Sequence, residues 1–132
     1  MASRLKLIVV TPQKQVAEAE ADEVQLPGEL GYLGILPGHT PLVTLLKAGV
    51  LSYRSAGTAH ALALSSGFAE VSDDVVSVLA DLAEEPADVD TAAAERDRAS
   101  ASEEMKTAGG DAVDEVRTRL EFAQARLEVA RR

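Results

Sequence analysis

Hydrophobic and polar positions fall into two textures along the 132-residue chain, and the change comes near Pro86. Before it, short apolar runs are broken by turn residues. "LKLIVV" (Leu5–Val10) is rich in branched side chains and predicts a strand closed by Thr11-Pro12. "QVAEAEADEVQL" predicts one or two strands carried by Val16, Val24 and Leu26. "PGELGYLG" reads as a glycine-rich turn region, and "PLVTLLKAGVLSYRS" as two strands meeting at Lys47-Ala48-Gly49. In "GTAHALALSSGFAEV", Ala59, Ala61 and Ala63 fall on one side of a strand and His60, Leu62 and Leu64 on the other. Val76, Val78 and Ala80 alternate in the same way. Turn signals recur at roughly the 8–12-residue spacing of an antiparallel β-sandwich or barrel.

Beyond Pro86 the chain takes on helix composition, rich in Ala, Glu and Arg. Asp90 or Thr91 is placed to cap a first helix, with Glu95 early in it. Gly109-Gly110-Asp111 predicts a stop followed by a new cap. In the second helix Val113, Val116, Leu120, Ala123, Leu127 and Ala130 recur at spacings of 3, 4, 3, 4 and 3, the narrow stripe of a two-helix contact. The first helix answers with small side chains, Ala92, Ala93, Ala94, Ala99 and Ala101. These bury little area at ~25 cal/mol per Å², so the hairpin is expected to rest on the β-domain or on a partner, and to be able to move. The expected architecture is mainly β with α: a β-sandwich or barrel over residues 1–86, then an antiparallel two-helix hairpin over residues 87–132.

Composition narrows the function. Hydrophobic residues make up 46% of the chain, enough for a core, but aromatics only 3%, which argues against base- or sugar-stacking platforms. The net charge of -9 repels nucleic acid. The chain has no cysteine and two histidines, which excludes disulfides, thiolate metal sites and histidine-rich metal centres. No segment reaches the ~20 apolar residues of a membrane span. The opening apolar run, Leu5–Val10 apart from Lys6, falls short of the roughly 7–15-residue core of a signal peptide. A cytosolic protein, peripheral at most, is expected.

Chemistry has few places to sit. His39, in the Pro37-Gly38-His39-Thr40-Pro41 turn, has no nearby Ser, Cys or Asp in a nucleophile arrangement, and a general base needs an orienting partner. It reads as a turn or contact residue. His60, beside Leu62 and Leu64, reads as a core or edge histidine. The glycine-rich stretch lacks the phosphate-loop lysine and a following helix. The acids from Asp73 to Asp90 lack calcium-loop spacing and read as a solvated rim. Arg117, Arg119, Arg126, Arg131 and Arg132 give the last helix a basic face suited to an acidic protein surface, although Glu121 and Glu128 interleave with them. The residues thus predict a non-catalytic interaction protein. The competing reading is a small β-domain enzyme or ligand-binding module that uses the His39 turn.

"LGILPGHTPLVTLLKAGVL" (Leu33–Leu51) closely resembles the epsilon subunit of F-type ATP synthases. "VVTPQKQV" (Val9–Val16) resembles that family's first hairpin. "LALSSGFAEVSDDVVSVLADLAE" (Leu62–Glu84) resembles its later strands, with Ser66 where a second glycine is usual. "DVD" (Asp88–Asp90) stands where the helices begin, and the helical tail matches in length and texture. The resemblance implies a subunit of the central stalk, without an active site, against the gamma subunit and the c-ring. It implies a position on the cytoplasmic face of the inner membrane, with no span, and the absence of a transit segment favours a bacterium or a plastid-encoded chain. It further implies helices that either fold on the sandwich or extend along gamma into the alpha/beta head, where they hinder ATP hydrolysis.

The resemblance assigns Gly28, Glu29, Gly31 and Tyr32, with Pro37, Gly38, His39 and Pro41, to the end facing the c-ring. Tyr32 stands where an acidic residue is common. Arg117, Arg119 and Arg126 are implied to meet the catalytic head. Some members bind ATP through a pattern like I/L-D-x-x-R-A with an upstream Glu. Glu84, Val89, Asp90 and Ala94 match it, but Ala93 stands at the arginine position, so weak or absent ATP binding is expected.

Overall fold

The structure, a computed structural model, describes residues 4–132. Met1, Ala2 and Ser3, at the start of the expected β-domain, lie outside the described residues. The elements are β1 (Leu5–Val10), β2 (Gln15–Ala21), β3 (Glu23–Gly28), β4 (Gly31–Ile35), β5 (Leu42–Leu46), β6 (Gly49–Ser55), β7 (Thr58–Leu64), β8 (Gly67–Ser72), β9 (Val75–Ala80), β10 (Ala83–Glu84), a 3-10 turn (Pro86–Asp88), α1 (Thr91–Met105) and α2 (Ala112–Ala130). Hydrogen bonding links the strands in the order β10-β7-β6-β3-β5-β8-β9-β1-β2, with β4 paired to β3. All the pairings are antiparallel except β1 with β9.

This path folds over on itself around one core. Inward rows from β3, β6 and β7 (Val24, Leu26, Leu51, Leu62, Leu64) meet those from β1, β8 and β9 (Leu5, Leu7, Val9, Val71, Val76, Val78). The alternation of Val76, Val78 and Ala80 places all three inside. Leu62 and Leu64 face this core as expected, while Ala61 and Ala63 turn outward beneath α2. β7 is thus buried on both faces at its C-terminal half.

One reading changes. "PGELGYLG" is a hairpin rather than a turn region, because β4 pairs along β3 from Gly28↔Gly31 to Val24↔Ile35. Glycines hide a strand from periodicity, since the ladder is made by backbone groups that glycine also carries. β5 and β6 meet at Lys47-Ala48-Gly49 as expected, without pairing with each other. Both flank β3, at Gly28↔Leu46 and at Glu23↔Arg54 to Gln25↔Ser52.

Gly67 explains which glycine the β8 motif cannot lose. A Cβ there would sit 1.9 Å from the Leu79 carbonyl oxygen, inside backbone that cannot give way. The preceding position faces outward space, and Ser66 uses it to donate a hydrogen bond to Asp81 at 3.3 Å.

α1 starts where the capping pattern expects. The Asp90 carboxylate accepts the Ala93 N–H at 3.0 Å. Asp111 sits at the start of α2 but its side chain makes no capping bond. Of the alanines in α1 only Ala94 and Ala101 are buried. In α2 the buried positions are Val116, Ala123, Ala125, Arg126 and Val129, a wider band than the narrow stripe. α2 meets two surfaces at once. One side faces α1, and the other side, with Phe122, Ala125 and Val129, lies on Val50, Ala61 and Ala63 of the sheet.

Candidate functional site

The Pro37–Pro41 turn is rigid by construction. The Leu36 carbonyl accepts the His39 N–H at 3.1 Å, and Gly38 has φ 86. Proline followed by a positive-φ glycine is the signature of a type II turn. The Gly38 N–H donates to Asp74 Oδ1 at 2.7 Å. Asp73 and Asp74, both at positive φ, form the two-residue turn joining β8 to β9. His39 Nδ1 lies 2.7 Å from the Thr40 carbonyl oxygen. A carbonyl only accepts, so this nitrogen carries the proton and the ring is held by its own backbone. Among the described residues, the hydrogen-bond partner of the His39 ring is this backbone carbonyl.

The other stretch assigned by resemblance is the β3–β4 tip. Glu29 N–H donates to the Leu45 carbonyl at 3.1 Å, and Leu30 stands fully exposed. The Tyr32 hydroxyl accepts the Val50 N–H at 3.1 Å, which ties the tip to β6 in a way no acidic residue of shorter reach would. The fold does not bring tip and turn together. They stand at opposite ends of β4, about 13 Å apart along the strand at ~3.3 Å per residue.

β5 runs between those two ends, and its outward side chains belong to a feature the sequence reading missed. Leu45 is directly opposite Phe68 on β8, and Phe68 is opposite Leu79 on β9. Val10 of β1 continues the row beside Leu79. Leu45, Phe68 and Leu79 are 62%, 41% and 43% exposed, and Val43 lies two residues along from Leu45 on the same face. The signal was present in "LVTLL" and "VSVLA": apolar residues occupy both alternating rows, although only one row faces the core.

The basic face of α2 is paired in this posture. Arg117 meets Asp114 at 3.0 Å on its own helix, and Arg119 meets Glu104 at the end of α1 at 2.6 Å. Arg126 is only 9% exposed. Its Nε donates to Glu84 Oε1 of β10 at 2.6 Å, and its Nη1 lies 3.4 Å from Asp97 Oδ2 of α1. Its guanidinium also lies 5.5 Å from the centre of the Phe122 ring. Lys47 adds a longer contact to Glu121 at 3.7 Å.

The residues matching the nucleotide pattern are engaged here as well. Glu84 holds Arg126, Asp90 caps α1, Val89 packs against the α2 cluster, and Ala94 is fully buried. Near the far end of α2, a groove of about 570 Å³ is lined by Tyr53, His60, Glu85, Pro86 and Arg132 among others. The Tyr53 and His60 rings stack with centroids 4.9 Å apart. Burial, and then the negative charge of Glu85, push the Tyr53 phenol above its ordinary pKa. Among the described residues no group of three or more His, Asp or Glu is placed to hold a metal ion, and no helix is long and apolar enough to cross a membrane.

Residues 4–86 match the family described as ATP synthase, Delta/Epsilon chain, beta-sandwich domain. The chain is 42% identical to the ATP synthase epsilon chain of Koribacter versatilis over 109 residues, 83% of this chain and 77% of the relative. It is 47% identical to the ATP synthase epsilon chain of Citrifermentans bemidjiense over 90 residues, 68% of this chain and 65% of the relative, slightly less than two thirds of that protein's length. The fold matches a chain in a cryo-EM structure of the Euglena gracilis mitochondrial ATP synthase OSCP/F1/c-ring, with a TM-score of 0.79 at 20% identity, covering 98% of this chain and 82% of that one. A chain from the central stalk/c-ring of Tetrahymena thermophila mitochondrial ATP synthase matches with a TM-score of 0.63 at 11% identity, covering 97% of each. By the match over residues 4–86 and the identity to these relatives, the chain belongs to the ATP synthase epsilon-chain family.

Proposed function

We propose that the chain is a non-catalytic rotor subunit of a proton-translocating F-type ATP synthase. It binds the gamma subunit and the c-ring, helps couple proton flow to ATP synthesis, and restrains ATP hydrolysis when its hairpin reaches the alpha/beta head. It works as a peripheral component on the cytoplasmic face of the membrane that carries the ring. The observation that carries this reading is the bare apolar row Leu45–Phe68–Leu79 on the face opposite the helices. An exposed contiguous apolar surface of this kind on a small acidic protein marks a protein interface. Gamma is the occupant assigned to it. The row runs alongside β5, whose two ends lead to the Leu30 tip and the Pro37–Pro41 turn, which are the parts assigned to the ring.

The hairpin reading is supported by how lightly α1 and α2 are attached. Their contact with the sheet uses alanines and valines plus ion pairs, a seam that a competing partner can replace. ATP is not expected to hold the folded posture. Ala93 supplies no guanidinium, and the Arg126 guanidinium already carries Glu84 and Asp97. Calorimetry should show no micromolar affinity for ATP; a micromolar isotherm contradicts this part of the reading. Co-purification tests the assignment as a whole. The tagged chain should bring down gamma, alpha and beta subunits, and recovery of the chain alone would overturn it.

A further inference from the structure

Both helices of the hairpin and the β-domain strand beside them meet at one side chain. Arg126 sits on α2, Glu84 on β10 and Asp97 on α1. Its two donor edges face different carboxylates, 2.6 Å to Glu84 and 3.4 Å to Asp97. The guanidinium is nearly buried, whereas the Asp97 side chain is 64% exposed. The Glu84 bond therefore runs in a low-dielectric seam and the Asp97 bond at its rim. Phe122, one turn earlier on α2, covers the guanidinium and keeps water from one side of it. Ala125 and Val129 alongside it contribute little area of their own, so in this seam the charged contact decides the posture.

From this geometry we infer that the Glu84–Arg126–Asp97 set is a competitive latch. It holds the hairpin on the β-domain by occupying the same cation that the extended hairpin offers to an acidic partner. The inference rests on the hairpin brake proposed above and adds how that brake is held off. A guanidinium engaged by Glu84 and Asp97 has no free fork for a third carboxylate, so folding and docking exclude each other through one residue. Arg117 and Arg119 differ in this respect. Neither has a β-domain partner, so their pairs, like the Asp97 side of Arg126, travel with the hairpin; only the Glu84 bond must break on release, and Asp97 serves to orient the guanidinium toward it.

The test uses the full chain, with Glu84→Gln and the surface variant Asp97→Asn. Both keep side-chain shape and leave Arg126 in place. Amide exchange over Ala123–Val129 of α2 should accelerate about tenfold in Glu84→Gln and about threefold in Asp97→Asn, since short helices freed from their support fray readily. Exchange at Leu62 and Leu64 in β7, which reports the β-core, should not change. Unchanged α2 exchange in both variants overturns the latch. In the assembled complex, Glu84→Gln should lower ATP hydrolysis because Arg126 is released for docking. Equal or higher hydrolysis overturns the competition. Failure of the brake itself is read separately: a complex whose chain is truncated after Pro86 and hydrolyses ATP at the wild-type rate sinks the brake, while the α2 exchange of the free chain still decides whether Glu84 and Asp97 hold the hairpin.

Discussion

Both outer faces of the β-domain carry apolar residues, and they are treated oppositely. Over β6 and β7 the outward residues are small, Ala61 and Ala63 beside Val50, and α2 lies directly on them. Over β5, β8 and β9 they are large, Leu45, Phe68 and Leu79, and among the described residues nothing covers them. Side-chain size separates the two roles. Small residues let a helix backbone approach closely while burying little area, which gives a contact strong enough to form and weak enough to leave. Large ones leave anchors standing out of the surface, the kind that dominate a lasting interface. On the function proposed above, one face serves a reversible internal contact and the other a durable external one.

The largest effect expected from breaking this contrast is on the bare face. Phe68→Glu should weaken binding to the gamma subunit at least hundredfold by titration calorimetry, because it sets a charge at the centre of the row. The melting temperature of the free chain should hardly move, since Phe68 is outside the core. A melt lowered as far as binding would mean that this face is part of the fold. Next comes the covered face. Ala63→Leu overfills the contact under α2 at ~1–3 kcal/mol, which should speed α2 amide exchange roughly tenfold while gamma affinity stays the same.

A smaller change is expected from removing the covered side's tenant altogether. Truncation after Pro86 should leave assembly intact and raise ATP hydrolysis several-fold in the purified complex. The smallest concerns Tyr53, at the edge of the covered face. Its folded-state pKa is raised from about 10, first by burial and then by Glu85, so folding favours the neutral phenol. That contribution is fully present below about pH 10 and is lost as pH rises through the folded-state value. Denaturant titrations should therefore show stability falling on that alkaline limb, and Tyr53→Phe should flatten it.

The sandwich and the hairpin were legible because their signals are local. Alternation placed Val76, Val78 and Ala80 in the core, and the Asp90 cap opened α1. The β3–β4 hairpin was not legible, since Gly28, Gly31 and Gly34 interrupt its side-chain alternation while their backbone still pairs. The bare row was missed for a different reason. Leu45, Phe68 and Leu79 come from three strands, and only register sets them side by side. Arg126 shows the same limit: its place on a basic helix face was readable, but that Glu84 and Asp97 converge on it depends on how three elements pack. His39 follows the Pro37-Gly38 turn, with its Nδ1 2.7 Å from the Thr40 carbonyl oxygen, a local contact that its place in the sequence made legible.

Side-chain footprinting with hydroxyl radicals, comparing the free chain with the assembled complex, tests the division of faces most directly. In the free chain Phe68 and Leu79 should be oxidised readily and Phe122 only weakly. In the complex Phe68 and Leu79 should be protected severalfold. Phe68 and Leu79 oxidised equally in both states would contradict the account, because the bare face would then be bare in the working assembly too.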